Sequence, residues 1–160
     1  MGPMGYRSIE TVRVIPAPPE AIWPYLIDPG KLSDIGDHHV DIESDRTLTG
    51  ARGESWVEQH GPECDDDRVK WTVIESDTLA RYRIRGRQRG ITQVVDYSVE
   101  PVTGGSRVTE RIVFSPSLAG AFGQQFLPWA LLASGLLGKL SQEQATTLED
   151  MEREIAASRE

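Results

Sequence analysis

Five arginines stand at alternate positions in ARYRIRGRQRG (80–90): Arg81, Arg83, Arg85, Arg87 and Arg89. Arginine at this spacing suits phosphate or carboxylate recognition, or simply the wet face of a strand, because side chains two apart on a strand share a face. Glu110 raises a different question. In SRVTERIVF (106–114) it alternates with Val108, Ile112 and Phe114, so on a strand it shares their face. A carboxyl among apolar neighbours must be paired or keep its proton, which is the property of a polar ligand anchor or a general acid. A strand end open to water, or a bulge that turns Glu110 outward, would remove the conflict. The sequence leaves these readings open.

Other reactive residue types carry less. His38-His39 lies between Asp37 and Asp41. Neighbours on a strand point to opposite faces, and neither HxH nor HxxxH spacing occurs, so no metal site is expected. ECDDDR (63–68) lacks the glycine and terminal glutamate of an EF-hand loop. It reads as a charged hairpin tip whose acids disfavour the Cys64 thiolate and make it a poor nucleophile. No nucleophile elbow, GxGxxG or P-loop pattern is present. No cofactor is assigned, and the catalytic residue is left unknown with Glu110 as its first candidate.

The elements that must position these groups follow from periodicity. YRSIETVRVI (6–15) alternates and is rich in β-branched residues, which predicts a strand. In PAPPEAIWPYLIDPG, Pro18-Pro19 suit a helix start, and Ile22/Leu26 and Trp23/Ile27 step by four up to Asp28-Pro29. GKLSDIG predicts a second short helix. Six strands follow, over 38–47, 52–60, 68–75, 79–88, 91–102 and 106–114, with glycine, proline, serine or aspartate at the turns. Consecutive strands joined by short turns pair antiparallel. Ala133, Leu137, Leu140, Gln144, Leu148, Met151 and Ile155 then step by three and four, one face of a long helix, with Glu149–Arg153 as an i,i+4 pair. Phe122, Phe126 and Trp129 continue the stepping upstream, and Gly123 and Pro128 are expected to break it, with Pro128 near the helix start.

The totals bound the class. A chain of 160 residues, 38% hydrophobic and 26% charged, suffices for one globular domain over 1–160, with MGPMG (1–5) a flexible start or added remnant. A net charge of -8 and a pI of about 4.9 argue against wholesale polyanion binding, so no nucleic-acid partner is expected. One cysteine excludes an internal disulfide. The start shows no signal-peptide pattern, and a cytoplasmic location is expected. FLPWALLASGLLGKL (126–140) is shorter than the ~20 residues of a membrane helix and contains Pro128, Gly135 and Gly138, so no span is expected.

The order strand, two short helices, six strands, long helix gives an α+β fold: a seven-stranded curved antiparallel sheet wrapped around a long C-terminal helix. In VRVIPAPPEAIWPYLIDPGKLSDI (12–35), TGARGESWVE (49–58), VVDYSVEPVTGGSRVTERIVF (94–114) and the final helix, the chain resembles the START-like, or helix-grip, superfamily. Within it, the chain is most similar to the bacterial polyketide cyclase/dehydrase and lipid-transport group, also written SRPBCC. The resemblance implies a ligand cavity between sheet and helix. It does not choose among carriers, receptors and cyclases.

Parity then sorts the faces. With Arg81, Arg83 and Arg85 in water, Tyr82 and Ile84 look inward. Gln93, Val95, Tyr97 and Val99 follow across the Gly90 turn, with Asp96 outside as a partner for Arg81. Val69, Trp71 and Val73 look inward on the preceding strand. Two arrangements of RGESWVEQH stay open: Glu54, Trp56, Glu58 and His60 inward, or outward with the acids neutralising Lys70 and Arg68. The expected ligand-binding set is Trp71, Tyr82, Ile84, Val95, Tyr97, Glu110, Ile112, Phe126, Trp129 and Gln144.

Three functions compete. The first is a binding module for a hydrophobic small molecule: a lipid, an isoprenoid or a polyketide-like aromatic. The second is a polyketide cyclase or aromatase-like enzyme using Glu110, Tyr82, Tyr97 and Glu54 or Glu58. The third is an acidic protein partner on the outer arginines. Phe122, Phe126, Trp129 and Leu132 suggest a portal in transient contact with membranes, and the chain is expected to be a monomer or a homodimer.

Overall fold

The computed structural model describes residues 7–35, 41–44, 46–59, 68–88, 91–116 and 137–160. Strand β1 (Arg7–Ile15) leads into two short helices, α1 (Pro19–Ile27) and α2 (Pro29–Ile35). Pro19 opens α1, where its missing N–H costs no hydrogen bond, and Pro18 precedes it in extended conformation. Asp28 separates the helices and starts the second, accepting the Gly30 N–H at 3.0 Å and the Lys31 N–H at 3.3 Å. Six strands then run in order: β2 (Asp41–Glu43), β3 (Ser55–Gln59), β4 (Arg68–Asp77), β5 (Arg81–Gln88), β6 (Ile91–Val102) and β7 (Gly105–Pro116). Helix α3 (Leu137–Ser158) closes the chain.

The seven strands form one antiparallel sheet in the order β1-β7-β6-β5-β4-β3-β2. The expected architecture is therefore the observed one, a helix-grip sheet with a C-terminal helix. The first strand joins the last through nine unbroken register pairs, Arg7↔Phe114 to Ile15↔Ser106. This closure depends on Gly105, where a Cβ would fall 2.0 Å from the Ile15 carbonyl oxygen. Ser106 reinforces it by donating its buried hydroxyl to the Ala17 carbonyl at 2.8 Å.

One face of the sheet is buried under the helices. Ile15, Val73, Tyr82 and Val108 on strands, Ile22 and Leu26 on α1, and Leu148, Met151 and Ile155 on α3 form one cluster. The described part of the stripe read from the sequence, Gln144, Leu148, Met151 and Ile155, is thus buried on α3. Helix and first strand are also tied by polar contacts: Arg13 pairs with Glu152, and Arg159 donates to the Pro16 carbonyl at 3.1 Å.

Strand β2 ends at Glu43, before the expected 47. The Ser44 hydroxyl donates to the Arg46 carbonyl at 2.8 Å and accepts its N–H at 3.3 Å, a local turn that competes with ladder pairing. Residues 36–40, including His38-His39, residues 60–67 of the expected charged tip, and the expected start of the last helix near Pro128 lie outside the described residues.

Candidate functional site: a polar row in an apolar interior

Glu110 sits in the middle of the unbroken β1–β7–β6 ladder, opposite Thr11 on one side and Tyr97 on the other. Neither an open strand end nor a bulge turns it out: it is 6% exposed. The next strand places Tyr82 opposite Tyr97. Thr11, Glu110, Tyr97 and Tyr82 therefore form one row across four adjacent strands, on the face covered by α3. The Tyr97 hydroxyl donates to Glu110 Oε1 at 3.3 Å. From the helix, Gln144 reaches the same row, and the Thr11 hydroxyl donates to its Oε1 at 3.1 Å.

Burial dominates the proton affinity of this row. It pushes the Glu110 carboxyl up to about 7, although the Tyr97 hydroxyl and the nearby Gln144 amide favour the charged form. Tyr97 is held well above the ordinary phenol range, first by burial and then by the neighbouring Glu110 carboxylate. Tyr82 is raised by burial and by Glu54. Among the described residues, buried Glu110 Oε2, Gln144 Nε2 and the Trp71 indole N–H make no well-formed hydrogen bond.

Aromatic side chains surround the row. Trp23 of α1 meets Tyr82 edge-on at 6.1 Å, and Tyr82 stacks with Tyr97 at 6.5 Å between ring centres. Further along the inner face, Trp71 lies over Gly86, directly opposite it in register; a Cβ there would stand 2.7 Å from the indole. Trp56 is buried opposite Trp71 and donates its indole N–H to Glu58 Oε1 at 3.2 Å. This decides the open facing of β3. The simple electrostatic arrangement is not adopted: Arg68 pairs with Glu43. Partial burial tends to raise the Glu54 pKa, but the Thr49 hydroxyl and the N–H groups of Thr49, Gly50 and Ala51 hold it below the usual range.

Of the expected ligand-binding residues, Trp71, Tyr82, Ile84, Val95, Tyr97, Glu110 and Gln144 are buried on this inner side, and Ile112 is half-buried beside them. Phe126 and Trp129 lie outside the described residues, as do the other side chains of the suggested membrane portal. The expected set misses Thr11 and leaves the facing of Trp56 and Glu58 open. Thr11 shares a face with Ile9 and Ile15, so the alternation of β1 could have placed it inward. Trp56 and Glu58 had to await the β3–β4 register.

A seven-stranded sheet closed over a C-terminal helix, with acid, amide and phenol groups set into its apolar side, defines a helix-grip protein. Residues 6–150 match the family described as polyketide cyclase / dehydrase and lipid transport, and the chain belongs to that family. No curated protein matches the chain in sequence. Among solved structures, TTHA0849 from Thermus thermophilus is similar at 20% identity and a TM-score of 0.67, covering 96% of this chain and 100% of that one. Ara h 8.0201 is similar at 13% identity and a TM-score of 0.69, covering 96% and 99%. Norcoclaurine synthase from Thalictrum flavum, solved with dopamine and hydroxybenzaldehyde, is similar at 14% identity and a TM-score of 0.62, covering 95% and 87%. At these identities the likeness concerns the fold. No helix among the described residues is long and apolar enough to cross a membrane.

Proposed function

We propose that this chain acts as a single START-like domain that holds a hydrophobic small molecule between the sheet and α3. Glu110, Gln144 and the Tyr82–Tyr97 pair are its polar and aromatic contacts. The ligand class is a lipid, an isoprenoid or a polyketide-like aromatic. The observation that carries this reading is Glu110 itself. A carboxyl 6% exposed, one of whose oxygens makes no well-formed hydrogen bond among the described residues, in an interior of Trp, Tyr, Val and Ile, contributes little to packing and costs desolvation. A ligand group that hydrogen-bonds there would satisfy it. Membership of a polyketide cyclase and lipid-transport family supports the same class of ligand. Native mass spectrometry of freshly purified protein is the direct test. A co-purifying hydrophobic compound, lost on substitution of Tyr82 and Tyr97, is expected. Failure to retain or bind any member of a broad lipid and aromatic panel would overturn the reading.

The protonation of Glu110 favours a second reading, a cyclase or aromatase-like catalyst. A carboxyl poised at about 7 beside a phenol can give and take a proton near neutral pH. On a substrate that the protein turns over, Glu110→Gln should leave folding intact and abolish turnover. Unchanged turnover would remove Glu110 from the chemistry.

A further inference from the structure

The outer face of the sheet divides the arginine strip in two. At one end Arg81 donates to both Asp96 oxygens, at 3.1 and 2.7 Å, and Arg83 reaches Glu75 at 3.1 Å. At the other end no carboxylate among the described residues answers. Lys70 and Arg87 stand directly opposite one another across β4–β5, and Arg85, two residues from Arg87 on the same face, lies opposite Thr72 and Val94. The acid on the Lys70 row, Glu43, lies beyond Val57 and is engaged by Arg68. Among the described residues, Lys70, Arg85 and Arg87 make no ion pair. Like charges directly opposite on a sheet destabilise it. A chain with 25 acidic and 17 basic residues has carboxylates to spare, so the fold does not require this arrangement.

We propose that Lys70, Arg85 and Arg87 form a docking surface for an acidic helix of a partner protein. Directly opposite side chains start about 5 Å apart, and those two apart on one strand about 7 Å apart. Carboxylates one turn apart on a helix stand about 5–6 Å apart, so two or three of them on one helical face match the trio. Thr72, Thr92 and the half-buried Val57 and Val94 give the cations a neutral floor. The competing partners fit less well. A small anion is held best in a concavity, and these side chains stand on an open strand face. Nucleic acid binding draws on many phosphate contacts and on exposed aromatic rings for stacking; the trio offers three cations, and no aromatic residue is exposed among the described residues. A bilayer surface asks for apolar side chains beside the charges, yet among the described residues the exposed large hydrophobics are Val12 and Val14 on β1, three strands from β5.

The test uses the full chain, isotope-labelled for NMR. It is titrated with an alanine-based helical peptide carrying three glutamates at four-residue spacing, and with the same peptide carrying glutamines. The glutamate peptide is expected to shift the amide resonances of Lys70, Arg85 and Arg87, and the glutamine peptide is not. Lys70→Glu and Arg87→Glu should each weaken binding roughly tenfold. Raising salt to about 1 M, where the screening length is about 3 Å, should abolish it. Each variant places opposite charges across the β4–β5 pair, so an unchanged or raised melting temperature separates lost docking from lost fold. Absence of shifts, equal binding of the glutamine peptide, or indifference to both variants overturns the proposal. So does a response to phosphatidylglycerol vesicles or inorganic phosphate with the peptide silent, or a shift with protein concentration alone, which would give the surface to a second copy.

Discussion

Glu110 couples the interior to pH. Its carboxyl binds a proton up to about 7 in the folded protein, against an ordinary value of 4.5. Below the ordinary value both folded and unfolded chains are protonated, and its stabilisation relative to neutral pH is fully present. As pH rises toward about 7 only the folded chain keeps the proton, so stability falls, by at most about 3 kcal/mol, and stays lower above that pH. In Glu110→Gln the amide oxygen can still accept the Tyr97 hydroxyl, and this loss should vanish. Urea unfolding at pH 5 and pH 8.5 measures the difference. Parallel losses in both proteins would show that Glu110 ionises without penalty. Gly86 gives a second residue-scale test. Gly86→Ala drives a methyl into the Trp71 ring and should destabilise the fold by about 1–3 kcal/mol in the same assay. Alternation alone made Tyr97 and Tyr82 legible as inward residues and left Glu110 open between an inward place and a bulge or strand end that turns it out. It could not show that all three fall on one row, because register depends on turn lengths and on the β1–β7 closure.

At the level of elements, the outer ends of β4 and β5 carry a stability conflict that their inner faces do not share. Val73 and Ile84 are paired and buried inside, while Lys70 and Arg87 are paired and repel outside. Lys70→Glu should therefore stabilise the isolated protein, by about 0.2–1 kcal/mol and less at high salt, seen as a raised melting temperature at low ionic strength. A lowered melting temperature would mean that the lysine stem packs more usefully than its charge repels. Helix α3 was legible because Leu148, Met151 and Ile155 repeat at helical spacing and all three are buried. Strand β2 was legible only as a β-rich stretch. Its end is set by the Ser44 turn, a hydroxyl contact that no periodicity reports. The arginine strip was read correctly as one wet face. Its division into a neutralised half and an open half needed the actual neighbours: Asp96 faces Arg83 in register yet binds Arg81 on the diagonal.

For the whole molecule, the order of elements was enough to reach the helix-grip fold, because an antiparallel sheet with one apolar face must be covered and only the last helix is long enough to cover it. Function is less legible at this scale, since one fold serves carriers and catalysts alike. What distinguishes a ligand-holding interior from a plain core is energetic. A plain core is complete when the chain folds. An interior in which acid, amide and indole groups keep atoms without a well-formed hydrogen bond among the described residues gains from an occupant. Occupancy should then appear as stability. Removing co-purified hydrophobic compounds by unfolding and washing, followed by refolding, should lower the melting temperature. Returning the compound at about a hundred times its Kd should restore about 2.7 kcal/mol. Glu110→Gln should respond less than wild type if the carboxyl is a ligand contact. A melting temperature unchanged by extraction, with no response to any added hydrophobic compound, would mean that the interior is complete without a ligand.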